Sequence, residues 1–141
     1  MSDQSITNGK YKLQSGRGQE AVRSVPELPH FVLLPDEGDG TDTWDVAFDG
    51  KDSYTLRNVK TGLYLGGKSD PTAMAPMMEG RPEPFAWTIQ RSEEVPEAVT
   101  LSPRGSNGTM RLSPSILRIF PPPVAWMPPG GPEQVWRLVR V

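Results

Sequence analysis

The stretch Ala21–Pro26 contains the residues best suited to bind the active site of a partner enzyme. Arg23 is followed by a small residue and, shortly after, by a stiffening proline. A trypsin-like protease has a deep specificity pocket with a carboxylate at its base, which accepts Arg or Lys. A rigid loop that offers Arg23 in extended form would bind there without the ordering cost of a flexible substrate. The alternative is an ordinary surface arginine on a connecting loop. The predicted protease contact consists of Val22, Arg23, Ser24, Val25 and Pro26, with Arg23 in the pocket.

Two further loops could contact a partner. Asn58 and Lys60 lie at a predicted hairpin tip, where either could address an Asn-specific or Lys-specific protease, and the alternative is ordinary turn chemistry. Trp126 and Met127 are large apolar residues framed by prolines. Exposed apolar patches mark contact sites, so this loop is a candidate too. The alternative is a loop that folds back to cap the bottom of a β-barrel.

Side chains for catalysis or metal binding are scarce. The chain has one His and no Cys, so His30 has no partner at metal-ligand spacing. The Gly-x-Ser-x-Gly nucleophile motif is absent from the sequence. The acids around the fourth predicted strand lack the spacing of a Ca²⁺ loop and favour a solvated face. We predict a non-enzyme without metal or cofactor. Those acids are Asp36, Glu37, Asp39, Asp42, Asp45, Asp49 and Asp52.

Bulk composition limits the remaining choices. A chain of 141 residues fits one domain, and 14 Gly with 16 Pro favour short strands joined by turns. The net charge of −2 gives nucleic-acid binding no electrostatic support. The absence of Cys and an N-terminus unlike a signal peptide favour a cytoplasmic site. No apolar run approaches the ~20 residues of a membrane span.

The elements that must position these candidates form a repeat. Trp44, Trp87 and Trp136 each precede a polar and then an aliphatic residue, as expected of strands with one buried face. Each has a matching strand upstream, around Tyr11, Tyr54 and Val99. The first two spacings are equal, and the third is longer because it contains a Pro-rich insertion. A period of about 43 residues, occurring three times, indicates a repeat architecture.

Three repeats of about four strands predict twelve strands, closed into a barrel with a hairpin cap that removes free sheet edges. This arrangement is a single all-β domain, a β-trefoil, over residues 1–141, with repeats at roughly 9–50, 51–93 and 94–141. The three tryptophans are its predicted core anchors. Further predicted features are a strand at 19–23, an apolar strand at 31–35, a hairpin turn at 59–62, strands at 72–78 and 117–120, and a Pro/Gly loop at 121–132.

Several motifs resemble the fungal β-trefoil serine protease inhibitors of the cospin and cnispin type. The resemblance spans nearly the whole chain and implies a cytosolic defence protein without disulfides, acting on trypsin-like enzymes. Some members use the loop after strand two, where Arg23 matches, and others use a basic residue between strands eleven and twelve. Pro121–Pro132 has no Lys or Arg, so the resemblance favours Arg23. The matching segments are residues 9–13, 22–29, 31–35, 43–46, 54–58, 62–66 and 135–138.

Two other families supply alternatives. The chain is similar, less closely, to the mycocypins, fungal trefoil inhibitors of papain-like proteases and legumain, in which Asn58 would be the legumain-binding residue. Gln134-Val135-Trp136 matches the Gln-x-Trp signature of ricin-B-like lectins, which the other two repeats lack. A sugar site of that family needs an Asp and an aromatic platform, which Asp45 or Asp49 with Phe48 would supply in repeat one only.

The hypothesis preferred from the sequence is therefore a monomeric inhibitor of a trypsin-like serine protease, bound through Arg23, with no nucleic-acid or membrane partner. Inhibition of a cysteine protease and carbohydrate binding are the alternatives.

Overall fold

Twelve β-strands and no helix make up the part of the chain that the computed structural model describes, residues 6–15, 20–25, 28, 30–35, 40–67, 78–92, 98–105, 110–114, 121–129 and 134–141. The strands are β1 (Gly9–Ser15), β2 (Glu20–Arg23), β3 (Val32–Pro35), β4 (Thr43–Phe48), β5 (Tyr54–Asn58), β6 (Tyr64–Gly66), β7 (Glu79–Arg81), β8 (Trp87–Arg91), β9 (Val99–Pro103), β10 (Arg111–Pro114), β11 (Val124–Met127) and β12 (Trp136–Arg140).

Six of these strands close into a barrel. Every neighbouring pair is antiparallel, in the order β1, β4, β5, β8, β9, β12 and back to β1. Closure leaves the barrel no free edge. The other six strands form three hairpins, β2–β3, β6–β7 and β10–β11, one from each repeat. The chain is therefore a β-trefoil, as its repeats predict.

Cross-strand pairing explains the spacing seen in the sequence. Tyr11 lies opposite Trp44, Tyr54 opposite Trp87, and Val99 opposite Trp136. Equal spacing along the chain thus becomes equal register in the barrel. All three tryptophans are fully buried, which confirms them as core anchors. The core layer beside them is built from the equivalent residues Leu13, Leu56 and Leu101, also fully buried.

Each tryptophan also ties a hairpin to the barrel. The indole Nε1 of Trp44 donates to the Val22 carbonyl at 3.1 Å. Trp87 and Trp136 do the same to the carbonyls of Leu65 and Leu112, at 2.9 and 3.0 Å. A buried indole N–H needs such a partner, and the three bonds place β2, β6 and β10 equivalently.

A ring of backbone hydrogen bonds joins the three hairpins to one another. The Phe31 N–H donates to the Met78 carbonyl at 2.9 Å, and Met78 to Val124 at 2.8 Å. The Val124 N–H closes the ring on the Phe31 carbonyl at 3.1 Å. All three residues are buried, so the cap is held where water cannot compete for these groups.

Local turn chemistry agrees with the sequence in the β5–β6 hairpin, where Gly62 has the positive φ of 76° expected of it. The predicted loop at 121–132 needs correction, because residues 124–127 form β11, which pairs with β10. Two predicted strands, at 72–78 and 117–120, lie almost wholly outside the described residues. The repeat boundaries stay predictions.

Replacing Trp44 with alanine should lower the free energy of unfolding by about 3–5 kcal/mol, because it opens a cavity in the barrel and leaves the Val22 carbonyl without its donor. Urea denaturation followed by circular dichroism measures this change. Val141→Ala, at a residue that is 68% exposed, is the control and should change stability by less than about 0.5 kcal/mol. A loss below about 1 kcal/mol for Trp44→Ala would contradict the core role.

Candidate functional site

Arg23 is held inside the fold. It is the last residue of β2, pairs with Val32, and is only 6% exposed. Its guanidinium donates from Nε to the Thr41 hydroxyl at 3.1 Å and from Nη1 to the Pro35 carbonyl at 3.2 Å. The prediction that Arg23 is offered on a loop is therefore wrong, because acceptors beyond β2 hold its side chain against the protein.

The other residues of the predicted protease contact do not form a continuous surface either. Val22 is fully buried in the core and accepts the Trp44 indole bond, so the prediction that it lines a protease cleft is wrong. Ser24 donates its backbone N–H to the Thr41 carbonyl at 3.1 Å, and both Ser24 and Val25 are half-buried. Pro26 lies outside the described residues.

Asn58 has a structural role in its hairpin. The residue is fully buried, and its Nδ2 donates to the Thr41 carbonyl at 2.9 Å. Its Oδ1 accepts the backbone N–H groups of Lys60 and Thr61, both at 3.0 Å. This is the hydrogen bonding of an Asn that stabilises a turn, so the prediction of an exposed Asn58 is wrong. Lys60 is exposed at the tip, as predicted.

Trp126 and Met127 are half-buried in β11 and not on an exposed loop. The Trp126 ring lies 5.7 Å from the Phe85 ring and 6.5 Å from the Trp87 ring, measured between centroids. Gly67 permits this packing, because a Cβ there would meet Trp126 Cζ2 at 3.0 Å. Trp126 therefore belongs to the packing of the cap, as in the alternative considered from the sequence.

The aromatic and acidic residues proposed for a sugar site in repeat one are partly available. Phe48 is 43% exposed, with its ring 5.2 Å from that of Tyr54. Asp49 accepts the backbone N–H groups of Lys51 and Ser53 through Oδ1. The Lys51 N–H, above all, lowers the pKa of the Asp49 carboxyl below its ordinary value. The Oδ1 atom of Asp49 therefore stabilises its own turn, while Oδ2 lies 4.0 Å from Arg104 Nη1.

Gln134 of the Gln-x-Trp motif is 3% exposed, and its Nε2 donates to the Pro128 carbonyl at 2.7 Å. The motif is thus structural. His30 forms an isolated backbone bridge with Glu79 at the entry to β3. Within the described residues, no three His, Asp or Glu side chains come close enough to hold a metal ion, and no helix could cross a membrane.

A polar groove of about 610 Å³ on the outside of the barrel is the candidate site. Thr88 follows the core residue Trp87 and Ser102 follows Leu101, so both point outward, and they face each other across β8 and β9. Hydroxyl, amide, guanidinium and carboxylate groups converge there, all of which can bond to ligand hydroxyls. The lining residues are Asp52, Thr88, Gln90, Ser102, Pro103, Arg104, Gly105 and Arg111.

We call two such outward positions on neighbouring barrel strands an outer row, and the equivalent row on β12 and β1 is filled by long side chains. Arg137, which follows Trp136, lies opposite Gln14, which follows Leu13. These positions are equivalent to Thr88 and Ser102. The Arg137 Nη2 donates to the Gln14 Oε1 at 3.3 Å, so two long side chains cover the strands.

The equivalent row on β4 and β5 is filled in part. Asp45, equivalent to Thr88, lies opposite Arg57, and Arg57 lies opposite Tyr64. The Arg57 Nε donates to the Gly62 carbonyl at 3.1 Å. The β12–β1 row therefore carries two long side chains and the β4–β5 row carries one, Arg57, whereas the β8–β9 row carries two small hydroxyl residues. The groove results from this difference between equivalent positions.

Ion pairs form one edge of the groove. The Arg104 Nε lies 3.3 Å from Asp52 Oδ1, and Arg104 Nη1 lies 4.0 Å from Asp49 Oδ2. Because these side chains are partly exposed to solvent, the pairs contribute little to stability. They do orient the Asp52 carboxylate beside the β9–β10 turn, so Asp49, proposed from the sequence for a sugar site, neighbours this groove.

Apart from Asp52, which the sequence assigned to a solvated acidic face, the groove residues were not singled out in the sequence. Arg111, Thr88 and Ser102 belong to no motif, and the eight lining residues come from separate strands and turns. A signal existed, because aligning the repeats on Trp44, Trp87 and Trp136 places Thr88 against Asp45 and Arg137.

Comparison with known proteins supports the fold. No protein-family model and no curated protein matches the chain. A ricin B-like lectin of Macrolepiota procera, solved with lactose, is similar over 99% of this chain and 100% of its own, with a TM-score of 0.86 and 22% identity. Rhizoctonia solani agglutinin is similar over 99% and 100%, with a TM-score of 0.83 and 16% identity.

A designed three-fold symmetric protein, ThreeFoil, is similar over 94% of this chain and 99% of its own, with a TM-score of 0.79 and 18% identity. At these identities the likeness shows the β-trefoil fold alone. The neighbouring structures include fungal lectins and do not support membership of the serine protease inhibitor family that the sequence resembles.

Arg23→Ala should lower the free energy of unfolding by about 2 kcal/mol or more, because it removes charge-assisted hydrogen bonds from a buried site. Chemical denaturation measures the change. The control is Lys60→Ala, an exposed basic residue, which should change stability by less than about 0.5 kcal/mol. An unchanged free energy of unfolding in Arg23→Ala would contradict this structural role and would mean that Arg23 behaves as a surface residue.

Proposed function

We propose that the protein binds carbohydrate and that the polar groove between β8, β9 and β10 is its binding site. The observation that carries this proposal is the groove itself, where Thr88 and Ser102 stand at positions that carry Arg137 with Gln14, and Asp45 with Arg57, in the other two rows. A saccharide needs several hydroxyl, amide and carboxylate partners within one concave surface, and this groove supplies them. Pro103 adds an apolar wall for the sugar ring.

The fold supports the proposal without deciding it. The similar protein of Macrolepiota procera is a lectin solved with lactose. A β-trefoil hosts many unrelated binding functions. This likeness therefore favours carbohydrate binding as a hypothesis, but it does not identify the residues of a binding site.

Inhibition of a trypsin-like protease stays a prediction. Arg23 would have to leave its bonds to Thr41 and Pro35 before it could enter a specificity pocket. Asn58, the candidate for legumain, would have to abandon its turn. No observation on these loops favours protease binding over the groove.

Filling the groove tests the proposal. The double variant Thr88→Arg, Ser102→Gln copies the Arg137–Gln14 pair of the β12–β1 row, so the fold already accommodates this filling. The wild-type protein is first screened on a glycan array, and the saccharides that it binds are measured by titration calorimetry. We expect the double variant to weaken binding about tenfold or more, because the added side chains occupy the ligand's place.

The control is Arg57→Gln, in the equivalent row of repeat two, which should leave binding unchanged. Circular dichroism and thermal unfolding verify that both variants are folded. Undiminished binding by the double variant would place the saccharide elsewhere on the protein. If the wild-type protein binds no glycan but removes trypsin activity stoichiometrically, the inhibitor hypothesis replaces this one.

A further inference from the structure

Arg111 is the cation of the groove that lacks a partner. Within the described part of the chain its Nε is buried and makes no hydrogen bond. The other guanidinium of the groove, that of Arg104, already lies beside Asp52 and Asp49. A buried donor without an acceptor is destabilising. Arg111 is half-buried as a residue, so the groove contains a partly solvated cation that makes no ion pair with the described residues.

The fold does not require a cation at this position. Alignment of the hairpins on the carbonyls that accept the Trp bonds places Arg111 in register with Ala21 and Tyr64. Ala21 is fully buried and uncharged, and Tyr64 is half-buried. Two repeats thus build the same strand without a charge. The arginine is a feature of repeat three alone, in the one row that the comparison of the repeats shows to be open.

The surroundings of Arg111 suit an anionic group attached to a polar framework. A guanidinium presents parallel N–H donors that match the two oxygens of a carboxylate or of a sulfate. Further hydrogen-bond donors in the same lining are Thr88, Ser102 and Gln90. The Asp52 carboxylate at the edge can accept hydrogen bonds from hydroxyl groups. A neutral sugar could use the hydroxyl partners but would leave the guanidinium charge unpaired.

We propose that the ligand of this groove is an acidic saccharide, whose carboxylate or sulfate pairs with Arg111 while its hydroxyl groups bond to Thr88, Ser102 and Asp52. This inference rests on the proposed carbohydrate binding and specifies its ligand class. A carboxylate and a sulfate can each accept two hydrogen bonds from the arginine, so the test separates the two sources.

Matched saccharide pairs test the charge requirement. Tri-galacturonic acid is compared with its methyl ester, and a sulfated galactose oligosaccharide with its unsulfated form, by titration calorimetry at low and high salt. We expect the charged member of at least one pair to bind about tenfold or more tightly than its neutral partner, and the difference to shrink as salt screens the charge. The pair that responds identifies the anionic group.

Variants of Arg111 assign that preference to the residue. Arg111→Gln should abolish the preference for the charged ligand, with its remaining affinity close to that for the neutral one. Arg111→Lys should restore part of it, because the charge returns without the guanidinium fork. Arg57→Gln, which removes an exposed cation from repeat two, should leave the preference intact. Thermal unfolding verifies that each variant is folded.

The outcomes separate the two hypotheses. Equal binding of charged and neutral members, or a preference that survives in Arg111→Gln, would overturn the acidic-ligand inference while carbohydrate binding stands. Failure to bind any saccharide, charged or neutral, would overturn both. Binding of inorganic sulfate as tight as that of the sulfated oligosaccharide would mean that the site recognises an anion without its sugar, which also contradicts the inference.

Discussion

The hydrogen bond from each core indole to a hairpin carbonyl is the interaction on which this fold depends. Trp44, Trp87 and Trp136 lie in the barrel wall, yet their acceptors belong to strands outside it. Since a buried N–H must find an acceptor, each tryptophan fixes the position of one hairpin as well as filling the core. The backbone ring of Phe31, Met78 and Val124 can close only because the three hairpins are already placed equivalently.

Because the core residues hold the barrel and its hairpins together, the outer rows of the barrel are free to differ between repeats. Core positions carry Trp and Leu in every repeat because register and packing allow little else. Outward positions face no such constraint, and the three repeats have diverged there. Arg137 with Gln14 closes one row by a hydrogen bond, and Arg57 covers the second. The row on β8 and β9 stays open. The groove is therefore a local departure from the three-fold symmetry that the core residues keep.

The sequence predicted the fold better than the site, for physical reasons. Trp spacing reports barrel register directly, because Tyr11 and Trp44 are cross-strand partners. Burial of Arg23 depends on acceptors at Thr41 and Pro35, which no local pattern brings to it. The role of Asn58 was accessible in principle, since an Asn before a Gly-containing turn commonly bonds to its own backbone. The polar groove was harder to find, because it joins residues from distant turns and strands, and only an alignment of the repeats sets Thr88 apart from Asp45 and Arg137.

The charge of Arg111 in the groove is a feature that the requirements of the β-trefoil fold do not explain. Most buried polar groups in a native protein are paired, and an exception calls for a reason. Trp126 offers an instructive contrast, because its Nε1 also lacks an acceptor among the described residues, yet its ring packs with Phe85 and Trp87. Arg111 lines an open polar surface, and the equivalent residues Ala21 and Tyr64 show that the strand forms without a charge. A buried Nε without an acceptor is destabilising, and an anion supplied by a ligand would give this guanidinium a partner.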